Sequence, residues 1–299
     1  MFQIDFIGLL DIGQTHEAAR LFWGAIYFDI HFHGYLSCHG RHIGTWPFKR
    51  RMIKRTLEPK TFPGDSYMSA NINISTLDGS AEFSAYIARP DSTAKAAIIV
   101  IQEIFGVNAG IRRKCDKLAE QGYIALAPDL FWRLEPGIEL DPDIEQELQQ
   151  AFDLMGKFDQ DQGIRDIEAS IKYLRDKEGC SKVGAVGYCL GGRLAYMTAS
   201  RTDCDATVGY YGVGIDGLLG EKESIAKPLL LHIPTEDGFV DKETQAKMHE
   251  GLADHPRVTL YDYQGLDHGF ATEFGKRRSE EAAQLADKRT ADFFATHLA

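Results

Sequence analysis

Lys182-Val183-Gly184-Ala185-Val186-Gly187-Tyr188-Cys189-Leu190-Gly191-Gly192 decides the reading of this chain. An apolar run, Lys182 to Val186, passes through Gly187-Tyr188-Cys189 into Leu190 to Arg201, which has helical composition. A strand that turns sharply into a helix strains the residue at the bend and presses main chain against main chain, so glycine is required on either side. Gly187-Tyr188-Cys189-Leu190-Gly191 fits the G-x-nucleophile-x-G pattern, with cysteine at the bend. The turn also sets the sulfur at a helix N-terminus, where the dipole and free N–H groups favour thiolate. These residues alone leave a second reading open, a buried structural cysteine in a tight turn.

Outward from this turn, strands alternate with helices. Ile72 to Ser75 and Glu82 to Ile87 flank the turn Leu77-Asp78-Gly79 and predict an opening hairpin. Ala96 to Gln102 is nearly unbroken apolar sequence, as in a strand buried on both faces of a mostly parallel sheet. Further strands are expected at Tyr123 to Ala127, Ala206 to Tyr211, Pro228 to Ile233 and Val258 to Tyr263, with helices near 111–121, 162–177, 190–201, 242–253 and 279–297. Ile164, Ile167, Ile171 and Leu174 share one helical face. The fold class expected is α/β, a doubly wound, mostly parallel sheet. Such sheets bind ligands beyond the carboxyl ends of their strands.

Residues that carry chemistry cluster at those ends. Asp237 follows the strand ending at Ile233, and His268 lies between the last strand and the last helix. Nucleophile, acid, histidine is the chain order of the α/β-hydrolase fold. In that arrangement His268 takes the Cys189 proton and returns it to the leaving oxygen, while Asp237 fixes the imidazole tautomer. Glu236 and Asp267 are expected as solvated loop acids. Backbone N–H groups of Ile104 and Leu190 are the natural pair to hold an oxyanion. Glu103, at the end of an apolar strand, needs a partner or a raised pKa, and reads either as a helix-capping or salt-bridged acid or as a group sharing a proton with the thiol.

Six motifs in one order, QEIFGVNAGIR (102–112), QGYIALAPDLF (121–131), VGYCLGG (186–192), VGYYGVG (208–214), DGFV (237–240) and DHGFA (267–271), resemble the dienelactone hydrolase (carboxymethylenebutenolidase) family from about Ser69 to Leu298. The resemblance implies an α/β-hydrolase fold, a triad at Cys189, Asp237 and His268, and a glutamate at Glu103 that deprotonates a resting thiol when substrate binds. It also implies two arginines that grip a substrate carboxylate. Those positions here are Leu148 and Thr272, so an uncharged or differently shaped ester, lactone or thioester is expected at least as readily as a dienelactone. Arg133, Arg277 and Arg278 are the candidates to substitute.

Composition bounds the rest. The chain has 299 residues, 44% hydrophobic and 26% charged, with net charge −11 and a pI near 5.4. An acidic chain without a basic stripe over its main body argues against nucleic acid as a partner. No stretch approaches the roughly 18 to 20 apolar residues of a membrane span, and Asp5, Asp11 and Glu17 oppose a secretory signal or transit peptide. Five cysteines without a CxxC pair suit a reducing compartment. The expectations are a cytoplasmic carboxylic ester hydrolase needing no cofactor or metal, acting on a small-molecule ester or lactone, as a monomer or small homo-oligomer. A ligand-binding protein of the same fold and a thiol-redox protein are the other classes.

Residues 1–67 differ in character. They carry +2, against −13 for the remainder, and hold five of the ten histidines. Three readings compete, a metal site among His31, His33, Cys38, His39 and His42, a surface-binding run at 49–55, and an unstructured extension or mis-assigned start; the last is favoured, with the hydrolase domain at 68–299.

Overall fold

The computed structural model describes residues 67–94 and 96–299, and the readings placed on residues 1–66 lie outside them. Eight strands form one sheet: β1 Tyr67–Ser75, β2 Glu82–Pro90, β3 Ala97–Ile101, β4 Ile124–Pro128, β5 Val183–Tyr188, β6 Ala206–Tyr210, β7 Leu229–Pro234 and β8 Val258–Tyr263. Their order is β1-β2-β4-β3-β5-β6-β7-β8. β1 pairs antiparallel with β2 and β2 with β4, and every pairing from β4 through β8 is parallel. This is the α/β-hydrolase arrangement expected from the sequence. Tyr67, assigned above to the extension, is the first residue of β1 and pairs with Pro90.

Helices cover both faces. α1 (Ala109–Glu120) and α6 (Glu280–His297) lie on one. α2 (Glu145–Lys157), α3 (Gln160–Asp176), α4 (Leu190–Arg201) and α5 (Lys242–Leu252) lie on the other. β3 shows the division residue by residue. Ala97, Ile99 and Ile101 enter the core beneath α2 to α5, Ile98 and Val100 the core beneath α1 and α6, and all five are fully buried. A strand covered on both faces must be apolar throughout, which is why its sequence does not alternate.

Two elements escape a reading of the sequence. α2 buries only Ala151 and Leu154 completely, and Glu145, Gln146, Glu147, Gln149 and Gln150 dilute its apolar stripe. Asp216–Ser224 is a run of 3₁₀ helix that buries Leu218 alone. Among the described residues, no helix is long and apolar enough to cross a membrane.

The carboxyl ends of the strands are braced by buried polar groups. Gln102, fully buried, accepts from the Leu130 N–H at 3.0 Å and donates to the Glu103 carbonyl at 3.3 Å. Asp129, 4% exposed, accepts from the N–H groups of Phe131 (3.0 Å) and Gly137 (2.7 Å). The segment after β4 is thereby fixed against the end of β3, where Gly106 pairs with Glu139. Replacing Asp129 by Ala strands both donors, and each buried unsatisfied group costs about 1–3 kcal/mol. Asp129→Ala is therefore expected to lose about 2–4 kcal/mol in urea unfolding, against little change for the exposed Asp153→Ala.

Candidate active site

Cys189 is the residue at the bend between β5 and α4. Its backbone takes φ 55° and ψ −115°, outside the regions an L-residue normally occupies. Packing explains why the bend persists. A Cβ on Gly187 would stand 1.9 Å from the Gly191 carbonyl oxygen, and one on Gly191 would stand 2.4 and 2.6 Å from the carbonyl oxygens of Ile101 and Gln102. No side chain fits at either place, so the start of α4 lies directly on the end of β3. Leu190 is the first residue of α4, and its N–H has no acceptor within the helix. Ile104, just past the end of β3, is buried. Cys189 itself is only partly buried.

The other groups arrive from two loops that are stapled together. The loop after β7 carries Asp237 and that after β8 carries His268. Asp267 clamps them, its Oδ1 accepting from the Gly238 N–H at 2.9 Å and the His268 N–H at 2.6 Å. The solvated loop acid expected at Asp267 is thus an exposed staple. Glu236, exposed, pairs with Lys242 at 2.7 Å and contributes nothing inside the site. His268 Nδ1 lies 3.1 and 3.0 Å from the two Asp237 oxygens, and both side chains are buried. With Nδ1–H donating to Asp237, Nε2 is buried and free of the carboxylate, and the neighbouring Cys189 side chain is the other group that acts on the ring. The ring is held between Tyr211 (centroids 4.9 Å apart) and Phe239 (4.8 Å).

Burial by itself would strip His268 of its proton, but the neighbouring Cys189 sulfur and the hydrogen-bonded Asp237 carboxylate outweigh it and push the imidazole up to about 10. Glu103 keeps part of its side chain in contact with solvent, yet its carboxyl is desolvated enough to be pushed upward, opposed by His268, Lys114 and Arg277. Cys189, Asp237, His268 and Glu103 are therefore one electrostatic unit built from four strand ends.

The arginine question separates into three answers. Arg133 pairs through both nitrogens with Asp166 and stacks on Trp132. Arg278 pairs with Glu280 at 2.7 Å and donates to the Thr272 carbonyl. Arg277 alone of the three approaches the site, its guanidinium 5.7 Å from the Phe239 ring and 3.5 Å from the His268 carbonyl. Leu148 packs half-buried against the larger core, and Thr272 sits on the loop after His268 with its hydroxyl buried and unpartnered. Sequence reasoning missed Tyr211 and Phe239 as walls of the histidine; both stand in quoted motifs, VGYYGVG and DGFV, but nothing in a string shows that two loops converge.

The dienelactone hydrolase family model matches residues 83–298. A relative from Azospirillum brasilense, assigned as a carboxymethylenebutenolidase, is 46% identical over 228 residues, covering 74% of this chain and 95% of that one. The carboxymethylenebutenolidase of Pseudomonas putida is 38% identical over 229 residues, covering 76% and 97%. A Klebsiella pneumoniae crystal structure assigned as a dienelactone hydrolase superposes with TM-score 0.65 at 27% identity, covering 76% of this chain and 98% of that one.

A histidine whose folded pKa is raised above its unfolded value adds stability that is complete below the unfolded value, near 6.5, and is lost as pH climbs through the folded one. His268 is expected to titrate near 10 when its ring carbon signal is followed by NMR, and Cys189→Ala is expected to bring the midpoint down, because the sulfur is the largest raising influence. The stability gap between wild type and His268→Gln is expected to shrink between pH 6.5 and 10.

Proposed function

This chain belongs to the dienelactone hydrolase family, and on that premise we propose that Cys189, His268 and Asp237 carry its hydrolysis of ester or lactone bonds. The observation that supports this reading best is the pairing of a strained, partly buried cysteine with a neighbouring imidazole whose Nδ1 is fixed by a carboxylate.

In the proposed sequence His268 Nε2 already holds the proton that Cys189 has given up, in keeping with an imidazole pushed up to about 10, and the sulfur, keeping the electron pair, attacks the carbonyl carbon. The N–H groups of Ile104 and Leu190 receive the resulting oxyanion. Collapse breaks the bond to the alkoxy oxygen, which takes the proton from Nε2 and leaves, so that a thioester remains on Cys189. Water then attacks this acyl group, giving its proton to His268, and the thiolate departs with the acid product released. Asp237 supports the imidazolium in both halves. Glu103 is a second resting place for the thiol proton, since burial raises its own hold on one.

The substrate is a small ester or lactone. With Leu148 and Thr272 at the arginine positions the choice opens beyond dienelactones, and of the three candidate arginines Arg277 is the one that approaches the site. We place the acting unit at residues 68–299; the family match, residues 83–298, lies within it. We place it in the cytoplasm; Cys115, Cys180, Cys189 and Cys204 are all free thiols, which suits a reducing compartment.

Turnover of p-nitrophenyl acetate tests the assignment. Cys189→Ala and His268→Ala are each expected to lose about 10³-fold or more in kcat, and Asp237→Asn about 10²–10⁴-fold, with circular dichroism unchanged. Wild-type turnover by Cys189→Ala would overturn the nucleophile. A chain shortened to start at Met68 is expected to keep full activity; loss of folded protein would overturn the proposed boundary.

A further inference from the structure

Among the described residues two that are not glycine take positive φ: Cys189 at 55° and Tyr211 at 39°. They are register neighbours. Tyr188 pairs with Tyr210 across the parallel strands β5 and β6, so each strained residue is the first one past its strand. Adjacent strands are about 4.8 Å apart. The two backbones are also joined, the Cys189 N–H donating to the Tyr210 carbonyl at 3.1 Å and the Tyr211 N–H to that of His232 at 2.9 Å. Strain at the nucleophile has the explanation given above. For a bulky aromatic residue it is an outlier that needs another.

Its effect is to set the Tyr211 ring against the catalytic site: 4.9 Å from His268 and 5.8 Å from Phe270, with 2% of the residue exposed. The hydroxyl is buried and has no hydrogen-bond partner among the described residues. Its neighbour Tyr210 differs in this respect, its hydroxyl sharing a 2.6 Å hydrogen bond with Thr290 on α6. The charges that bear most on the Tyr211 hydroxyl are Glu103 and Cys189, followed by Tyr210 and Asp287. From the remaining elements packed here come His268, Tyr188 and Lys114, which lies over the Tyr188 ring.

A phenol can donate or accept, and in this position the acceptors are anions. We infer that the Tyr211 hydroxyl is a positioning donor for the nucleophile, giving its hydrogen bond to the Cys189 sulfur once the thiol proton has left. The proton passes to His268 Nε2 or to the Glu103 carboxylate, the sulfur keeps the electron pair, and the phenol stays protonated throughout. Burial together with the negative charge of Glu103 and Cys189 holds Tyr211 well above the usual tyrosine range, so it remains a donor rather than becoming a competing anion. The inference rests on the reading of Cys189 as nucleophile.

Alkylation of Cys189 by iodoacetamide, followed by mass spectrometry of the Cys189 peptide across pH, reads thiolate formation without any ester turnover. Tyr211→Phe keeps the ring that packs on His268 and deletes the donor. Its midpoint is expected about one unit higher, so that alkylation is about tenfold slower at pH values below both midpoints, with the same limiting rate at high pH. Tyr210→Phe, which removes a hydroxyl bonded away from the site, is expected to leave the midpoint in place. Fluorotyrosine at position 211, a stronger donor of nearly the same shape, is expected to move it downward. It keeps the test open should Tyr211→Phe fail to fold. Coincident profiles for wild type and Tyr211→Phe, or a shift matched by Tyr210→Phe, would overturn the inference. Neither result bears on the hydrolase reading, which fails instead on the activity of Cys189→Ala.

Discussion

The structure depends on the contact between the first turn of α4 and the end of β3. Gly191 lies against the carbonyl oxygens of Ile101 and Gln102, and Gly187 against Gly191, at distances that admit no Cβ. This contact sets the bend, and the bend sets Cys189 in a backbone conformation it would not adopt alone. The same contact sets the first turn of α4, with the Leu190 N–H, against the end of β3. The bend at Cys189 is thus a consequence of one close approach of main chain to main chain.

The histidine side of the site depends on a different kind of constraint, polar rather than steric. Asp237 and His268 belong to loops that have no regular structure, and loops ordinarily wander. Here Asp267 accepts an N–H from each loop, Glu236 N–H donates to the Leu266 carbonyl at 2.9 Å, and Gly265 N–H donates to Thr235 Oγ1 at 2.9 Å. These bonds fix the imidazole to its acid before any ligand arrives. Farther out, the loop following His268 is tied to α1, where Glu273 pairs with Lys114 at 2.9 Å and Lys117 at 2.6 Å. Glu273 is buried, so this pairing holds the loop rather than decorating its surface.

The electrostatics of the site follow from that geometry. A buried imidazole between a carboxylate and a sulfur keeps its proton, and a desolvated glutamate nearby holds its own more firmly than usual. The proton affinities of His268 and Glu103 are therefore set by the constellation around them and not by either residue alone. Tyr211 adds a donor to a region otherwise composed of groups competing for protons.

Much of this was legible in the sequence, and the boundary has a physical basis. Buried strands announce themselves because both faces must be apolar, as in Ala97–Ile101 and Val183–Tyr188, and the elbow does so because only glycine tolerates its contacts. α2 and the 3₁₀ run were not legible, since each buries too little to impose a period. The chain order of Cys189, Asp237 and His268 named the candidates, but order carries no distances. Only the tertiary structure decided that Asp267 is a staple, that Arg133 and Arg278 are engaged elsewhere while Arg277 reaches the site, and that Tyr211 stands beside Cys189. Local sequence determines which backbone shapes are affordable; which side chains meet depends on strand register and loop closure across tens of residues, and that information appears only when the sheet has formed.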